Sequence, residues 1–267
     1  MAALRKGDKR AYAWCVLAFA LCQGACDDRL NAGYNLPAAI TGDAAPTDAT
    51  PSSPFSFNGK PVALQLNGDA VSLDPALGIE LTRSLENQEG SAYLPMMMPL
   101  TAGKVITVFA AFVIEPSELA ADGVAFVWHN DPRGIYALGG TGGGISIGNL
   151  TPSFAVVFDT HNGSGFELAP NVCMGHGNNF ATAAVATRTV PFDLPTGEPV
   201  FVWIDYGAQR LAVFVSHVAS KPTAPWIEAP VDLVKEVGST AAFGVAAATG
   251  AKHSRHRLLS LQVSWAP

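Results

Sequence analysis

An all-β fold is what this sequence predicts, on three observations. Hydrophobic residues make up 49% and charged residues 14% of the chain, too apolar a balance for disorder. Val, Phe and Thr, with 26 Gly and 19 Pro, favour short strands and turns over helices. Apolar runs also recur at short intervals between turn residues, the spacing of a sandwich or barrel. The 267 residues leave room for one large domain or two small ones, and because the first quarter is unlike the rest, one large domain is expected.

At the N-terminus, Arg5, Lys6, Lys9 and Arg10 precede an apolar run from Ala11 to Leu21. That run is too short to span a bilayer as a mature helix and suits a signal peptide, so export is expected. Cys26, preceded by Gly24-Ala25, resembles the lipidated cysteine of bacterial lipoproteins, although Gln23 departs from the small or branched residue usual there. The alternatives are a lipid-anchored protein, whose membrane contact is confined to that anchor, and an ordinary cleavage that releases a soluble one. Residues 1–26 thus read as a signal peptide with a lipobox, and residues 27–54, rich in Ala, Asp, Thr and Pro, as a flexible linker. The folded domain is placed at 55–267. Removing residues 1–25 takes away four basic residues and Asp8, which moves the formal charge from -6 to -9 and argues against nucleic acid. Cys15 and Cys22 leave with the signal. If Cys26 is acylated only Cys173 remains, so no disulfide forms within the chain and stability must come from a core. Cys173 itself reads as a small buried hydrophobe.

Beyond Phe55, strands are expected at 105–114, 123–129, 153–160, 199–207, 210–218, 242–248 and 258–265. In the run from Phe201 to Tyr206 both alternating sets are largely apolar, which implies a strand covered on both faces in stacked sheets. Gly207-Ala208-Gln209 reads as the turn of a hairpin between two of these strands.

Several collinear stretches then resemble the L-type, or legume-type, lectin family. They are FSFNG at 55–59, NGDA at 67–70, LT at 81–82, GSAYLP at 90–95, ADGVAFVWHND at 121–131, LGGTGGGISIG at 138–148, FAVVFDTHNG at 154–163, VWIDYGAQRLAVFVS at 202–216 and FGVAAATGAKHSRHRLLSL at 243–261. Singly each is a weak signal; in order they cover almost all of residues 55–267. The resemblance implies a concanavalin-like jelly-roll β-sandwich of antiparallel sheets, glycans as partners, and a homodimer formed through flat sheets.

A sugar site has its own chemical requirements. Hydroxyls both donate and accept, so the site needs a fixed carboxylate, a backbone N–H on a loop without side chains, and an apolar ring. By resemblance, Asp122 is the carboxylate, following a cis peptide at Ala121-Asp122. Gly144, closing Gly142-Gly143-Gly144, is the backbone donor, and the glycine run is expected to lead into a strand. Without the Lys-Ser/Thr of a phosphate loop, nucleotide binding is set aside. The loop holding Thr249, Gly250, Ala251 and Lys252 matches the one that helps choose the monosaccharide. His256 reads as structural, and the basic cluster of Lys252, His253, Arg255, His256 and Arg257 as a solvated loop, with preference for an acidic glycan as the alternative.

The metal loop is where the chain departs from the family. Legume lectins follow a Glu-Phe-Asp strand end with an Asn, an Asp-Pro and a His that hold calcium and a transition metal. Here Asp159 remains, but Val157 replaces the Glu, Ala169-Pro170 replaces Asp-Pro, and Val172 or Cys173 stands where the His would be. Asn162 lies one residue early. His161 takes the place whose carbonyl binds calcium and whose ring stacks on the sugar. Loss of the transition-metal site is expected, as in the family's animal members, whose segment resembles PNVCMGHGNN at 170–179. A calcium-only site would draw on Asp159, the His161 carbonyl, Asn162 and Glu167, fewer oxygens than the six to eight calcium takes. The other reading is a metal-free loop in which Asn162 still meets the sugar.

Two further functions share the sandwich. Glycoside hydrolases place two carboxylates across a cleft, often as Glu-x-Asp-x-x-Glu on one strand; the strand from Phe154 to Asp159 offers one acid, so catalysis is not expected. A degenerate sandwich kept for adhesion or protein contact is the other alternative.

Overall fold

A computed structural model describes residues 53–161, 171–176 and 184–266. Cys26, Asn162 and Glu167 lie outside the described residues, as do the signal segment and nearly all of the linker.

The strands form in chain order as β1 (Phe55–Phe57), β2 (Lys60–Pro61), β3 (Gln65–Gly68), β4 (Val71–Ser72), β5 (Ile79–Thr82), β6 (Glu89–Tyr93) and β7 (Met98–Pro99). The long runs follow as β8 (Val105–Ile114), β9 (Gly123–His129) and β10 (Ser153–Asp159). Then come β11 (Asn171–His176), β12 (Ala184–Thr189), β13 (Val200–Gly207), β14 (Arg210–Ser216), β15 (Ile227–Pro230), a short helix α1 (Leu233–Val237), β16 (Thr240–Ala248) and β17 (His256–Ala266).

These strands make two sheets. The nine-stranded back sheet runs β15-β14-β13-β8-β17-β1-β2, with β5 beside β17 and β4 beside β5. The eight-stranded front sheet runs β12-β11-β10-β9-β16-β6-β3, with β7 on β16. Pairings are antiparallel except that β1 lies parallel to β17, which ties the domain's first strand to its last. The result is an all-β jelly-roll sandwich.

Alternation explains how the sheets close on each other. From β8, Ile106, Val108, Ala110, Phe112 and Ile114 point inward, and from β13, Val200, Val202, Ile204 and Tyr206; all are buried in one core with Phe126, Trp128, Phe154 and Phe158 from the front sheet. Phe112, Phe126 and Phe158 meet with ring centroids 5.1–6.3 Å apart, two of the three pairs edge to face, so each ring fills space the others leave. The continuous burial of β9 and β10 has a separate cause. Their outward residues Ala125, Val127, Ala155 and Val157 are covered by Ala137, Ile145, Ile147 and Leu150 from the segment between the two strands. In β9 and β10 the missing polar alternation marks a loop lying over the sheet, whereas β13, expected to be covered on both faces, leaves Trp203 and Asp205 half-buried on its outer face because no second layer of the described residues packs there.

The hairpin between β13 and β14 turns at Ala208 and Gln209, both left-handed at φ 49° and 56°. Two such residues give the right-twisted two-residue turn that matches the strands, here without the usual Asn-Gly.

Candidate functional site

The site is assembled at one end of the front sheet, around the entry to β9. The Ala121-Asp122 peptide is cis, the geometry the resemblance implies. The Asp122 N–H donates to the Ala248 carbonyl, and the Asp122 carbonyl accepts from the Thr160 N–H, each at 3.0 Å. The start of β9 is thereby stitched between the end of β16 and the exit of β10. Gly123 pairs opposite both Asp159 and Ala248. At φ 150°, a Cβ on Gly123 would run into the Phe158 carbonyl, so no other residue fits between the strands there.

Two loops meet over this junction. In the first, Gly142–Gly144 form a single 3-10 turn whose Gly142 N–H donates to the Thr249 carbonyl at 2.9 Å. Thr249 and Gly250 belong to the second loop, and a Cβ on Gly250 would stand 3.3 Å from the Gly142 Cα and 3.5 Å from Asp122 Oδ2. The two loop backbones thus pack together, with the Asp122 carboxylate beside Gly250. At Gly144 the N–H has only a long 3.4 Å bond to the Thr141 carbonyl, and a Cβ would meet nothing closer than the Gly139 carbonyl, at an ordinary 3.5 Å. The fold therefore tolerates a side chain at 144. The run does not continue as a strand, as the sequence suggested; Ile145 and Ser146 are left-handed at φ 44° and 57°, and turns extend to Leu150 before β10 begins. Burial of Ile145 and Ile147 against β9 and β10 offsets the backbone cost.

Charge is distributed unevenly here. Asp122 is 6% exposed and its Oδ2 is buried with no hydrogen-bond partner. The nearby Gly250 N–H is held at 3.0 Å by the Lys252 carbonyl. Burial pushes the Asp122 carboxyl up to about 6, and the Gly250 amide and the Lys252 charge pull it only partly back. Asp159 is pushed up to about 7, chiefly by burial; the His161 N–H, which donates to its Oδ1 at 2.9 Å, opposes the rise, and the Asp122 charge adds to it. The His161 imidazole is shifted down by burial and then by Lys252, so it stands in the same neighbourhood. Asp122, Gly142–Gly144, Asp159, His161 and the loop at Thr249–Lys252 are one constellation.

Apart from Thr249, the residues bracing it are not singled out by the sequence. Asp131 accepts from Arg133 through Nε at 2.7 Å and Nη2 at 2.9 Å, and from the N–H groups of Arg133 and Thr151. The same guanidinium donates to the carbonyls of Leu138 and Asn149, so one fork closes both ends of the glycine loop. These bonds hold the Asp131 carboxyl far below the usual carboxylate range, the Arg133 side-chain bond contributing most. Glu89 accepts the Gly140 N–H at 2.8 Å. On the other side, Thr249 Oγ1 donates to the Leu85 carbonyl at 2.6 Å and accepts the Gln88 N–H at 2.9 Å, and the Asn87 N–H reaches the Gly250 carbonyl.

One sequence expectation changes, and the structural reading of His256 does not. The basic cluster is not a solvated loop: Arg255 pairs with Glu80 and Glu115, Arg257 with Glu115, and His253 Nδ1 with Ser84 Oγ. His256 is fully buried, 2.7 Å from Thr82 Oγ1, and burial pushes its imidazole down to about 3. Its environment is that of a core residue. Of the cluster only Lys252 is in electrostatic contact with the site.

Among the described residues, the donors that Asp122 and Asp159 bring to this end of the sheet are hard oxygens. Val157, where a transition-metal Glu would stand, is buried among apolar side chains of the glycine-loop cap, which supply no ligand. Asp159 and Asp122 are hard oxygen donors whose burial and mutual repulsion a divalent cation would relieve, as calcium requires. Among the described residues no three His, Cys, Asp or Glu gather, so these alone do not fill a calcium shell.

Comparison with known proteins agrees with this fold. The model of the legume lectin domain family matches residues 52–266. A probable L-type lectin-domain containing receptor kinase I.5 from Arabidopsis thaliana is 28% identical over 232 residues, which are 79% of this chain and 34% of the relative; the chain spans about a third of that protein. Winged bean acidic lectin, solved with methyl-α-D-galactose, superposes with TM-score 0.65 at 20% identity over 79% of this chain and 95% of its own. The exoplasmic/lumenal domain of VIP36, solved in a Ca2+/Man3GlcNAc-bound form, superposes with TM-score 0.55 at 16% identity over 75% of this chain and 83% of its own. The chain belongs to the legume lectin domain family, a family of non-catalytic carbohydrate-binding domains.

Proposed function

We propose that this protein is an exported lectin whose glycan site is centred on Asp122. The observation that carries the reading is the buried, unpartnered Oδ2 of Asp122 beside a loop in which Gly144 is bare although the fold has room for a side chain there. An acceptor buried without a partner costs stability, of order 1–3 kcal/mol, unless a ligand completes it. A sugar hydroxyl is suited to do so, because it can donate to Asp122 while its oxygen accepts the loosely held Gly144 N–H. In this reading Gly250, Ala251 and Lys252 meet one side of the sugar, and the His161 ring offers it an apolar face. Asn162, next along the chain, would add an amide.

Calcium is the ion this donor set would take, with Asp159, the His161 carbonyl, Asn162 and Glu167 as ligands. When bound it would fix the loop after Asp159 and neutralise that carboxylate. Export, with Cys26 as a lipid anchor and residues 27–54 as a tether, rests on the N-terminal sequence pattern.

A glycan array with the wild-type chain and Asp122→Ala tests the site. Loss of a charge-assisted hydrogen bond predicts binding weakened about 10- to 100-fold in the variant. Equal binding by both proteins would move the site elsewhere.

A further inference from the structure

The outer face of the back sheet carries a depression of about 300 Å³, on the other sheet from Asp122. Strand register builds its floor. Ser56, Gln262, Phe109, Trp203 and Phe214 stand opposite one another across β1, β17, β8, β13 and β14. Ser264, Thr107 and Asp205 make the next row on the same face. Adjacent strands lie about 4.8 Å apart, so the two rows set ring and polar side chains at roughly the spacing of groups around one sugar ring.

The rings are fixed from below and the polar groups from the side. Phe109 and Trp203 lie with centroids 5.4 Å apart and remain half-buried, and Phe109 stacks on Phe201 at 6.4 Å over an apolar cluster with Ala111, Val113 and Leu259. Lys221 bonds Asp205 and sits 4.3 Å from the centroid of Phe214, which holds an ammonium and a carboxylate together at the rim. Gln262, Thr107 and Ser264 complete that rim. An apolar partner would strip water from Asp205, Lys221 and Gln262 without replacing its hydrogen bonds. A pyranose does not, since it has a C–H face for the rings and hydroxyls that both donate and accept for the rim.

We propose that this depression is a second carbohydrate site, in which Trp203 and Phe109 take the apolar face of a sugar ring and Asp205, Gln262 and Lys221 take its hydroxyls. It goes beyond the Asp122 site and stands without it. A shallow, open site of this kind binds with a Kd on the order of 1 mM, and its use is avidity: with sites on the two sheets, one chain bridges two glycan strands.

The test is a heteronuclear NMR titration of the full chain with tetrasaccharides of mannose, glucose and galactose, each to about 10 mM, which brackets the expected Kd. Trp203→Phe, which keeps a ring in the sheet, assigns the Trp203 indole N–H. Saturable movement of that signal by at least one sugar, in both the wild type and Asp122→Ala, is the expected result. Asp205→Asn should weaken it about 3- to 10-fold, the loss of one ordinary hydrogen bond. An indole signal that no sugar moves would overturn the proposal. So would one that moves only with protein concentration while sedimentation shows the mass doubling, because a second copy then covers the face. The amides of Gly123 and Gly144 report the Asp122 site separately: their movement without Trp203 leaves the first reading standing and removes this one, and the reverse pattern does the opposite.

Discussion

Asp122 and Asp131 flank the same strand, one just before β9 and one just after it, and the fold treats them in opposite ways. Asp131 is 5% exposed, accepts a guanidinium fork and two backbone N–H groups, and titrates far below an ordinary carboxylate. Asp122 is 6% exposed, yet its Oδ2 has no hydrogen bond and its carboxyl is pushed up to about 6. Solvent exposure is nearly the same, so exposure alone does not decide what a carboxylate does. The difference lies in partners: Asp131 accepts a guanidinium fork and two N–H groups that hold the glycine loop, while Asp122 Oδ2 accepts none and is the acceptor the proposed sugar would meet.

Substitution should separate the two roles. Asp131→Ala leaves Arg133 without its carboxylate and frees both ends of the glycine loop, so a loss of about 3 kcal/mol in chemical denaturation is expected, with weaker glycan binding following from the loosened loop. Asp122→Asn should leave the fold intact and raise its stability at pH 8 by roughly 1 kcal/mol, because a buried charge is removed. If both variants destabilise equally, the contrast between the two acids fails.

The pH profile sharpens the same contrast. Without added cation, Asp122 and Asp159 have folded values of about 6 and 7, above the unfolded carboxylate value of about 3.9. Stability from these groups is therefore full below pH about 4 and is lost as pH rises through 6 to 7, at up to about 1.4 kcal/mol per pH unit per group. His129, pushed down to about 4 chiefly by burial, and His256, at about 3, act in the other direction. Their folded values lie below the unfolded value of about 6.5, so they cost stability as pH falls from there. Thermal melts of wild type minus Asp122→Asn between pH 4 and 8 isolate the carboxylate share, which should decline with rising pH. A flat difference would mean Asp122 titrates normally.

Calcium should raise the melting temperature at pH 7.5, reversed by chelator, with a smaller rise in Asp159→Asn, and isothermal titration should show heat of binding. No heat and no shift would remove calcium from the site. Lys252→Ala is the mildest change, expected to alter sugar binding by less than about 1 kcal/mol, since the charge is partly exposed.

Much of the fold was legible because period-two alternation and apolar runs are local signals. The run 105–114 became β8 and 123–129 became β9 without a change of boundary. The glycine segment was misjudged in its continuation, since Ile145 and Ile147 look like strand residues but are the underside of a loop packed on β9 and β10. Within the site, Asp122 and Gly144 could be picked out by resemblance, whereas the residues that hold them could not. Thr249 meets Leu85 and Gln88 across more than 160 positions of sequence, and Gly140 meets Glu89 across 51. Pairings at such separations leave no spacing to read. The basic cluster failed for the same reason: Glu80 and Glu115, which neutralise it, come from distant strands.

The claim at the centre is that Asp122 is kept without an internal partner for a sugar. It is tested most directly by titrating the best glycan from the array into wild type and Asp122→Asn while recording the melting temperature of each. The expected result is affinity reduced at least about 10-fold in a variant that melts no lower than wild type. Unchanged affinity, or lost affinity only in step with lost stability, would contradict it.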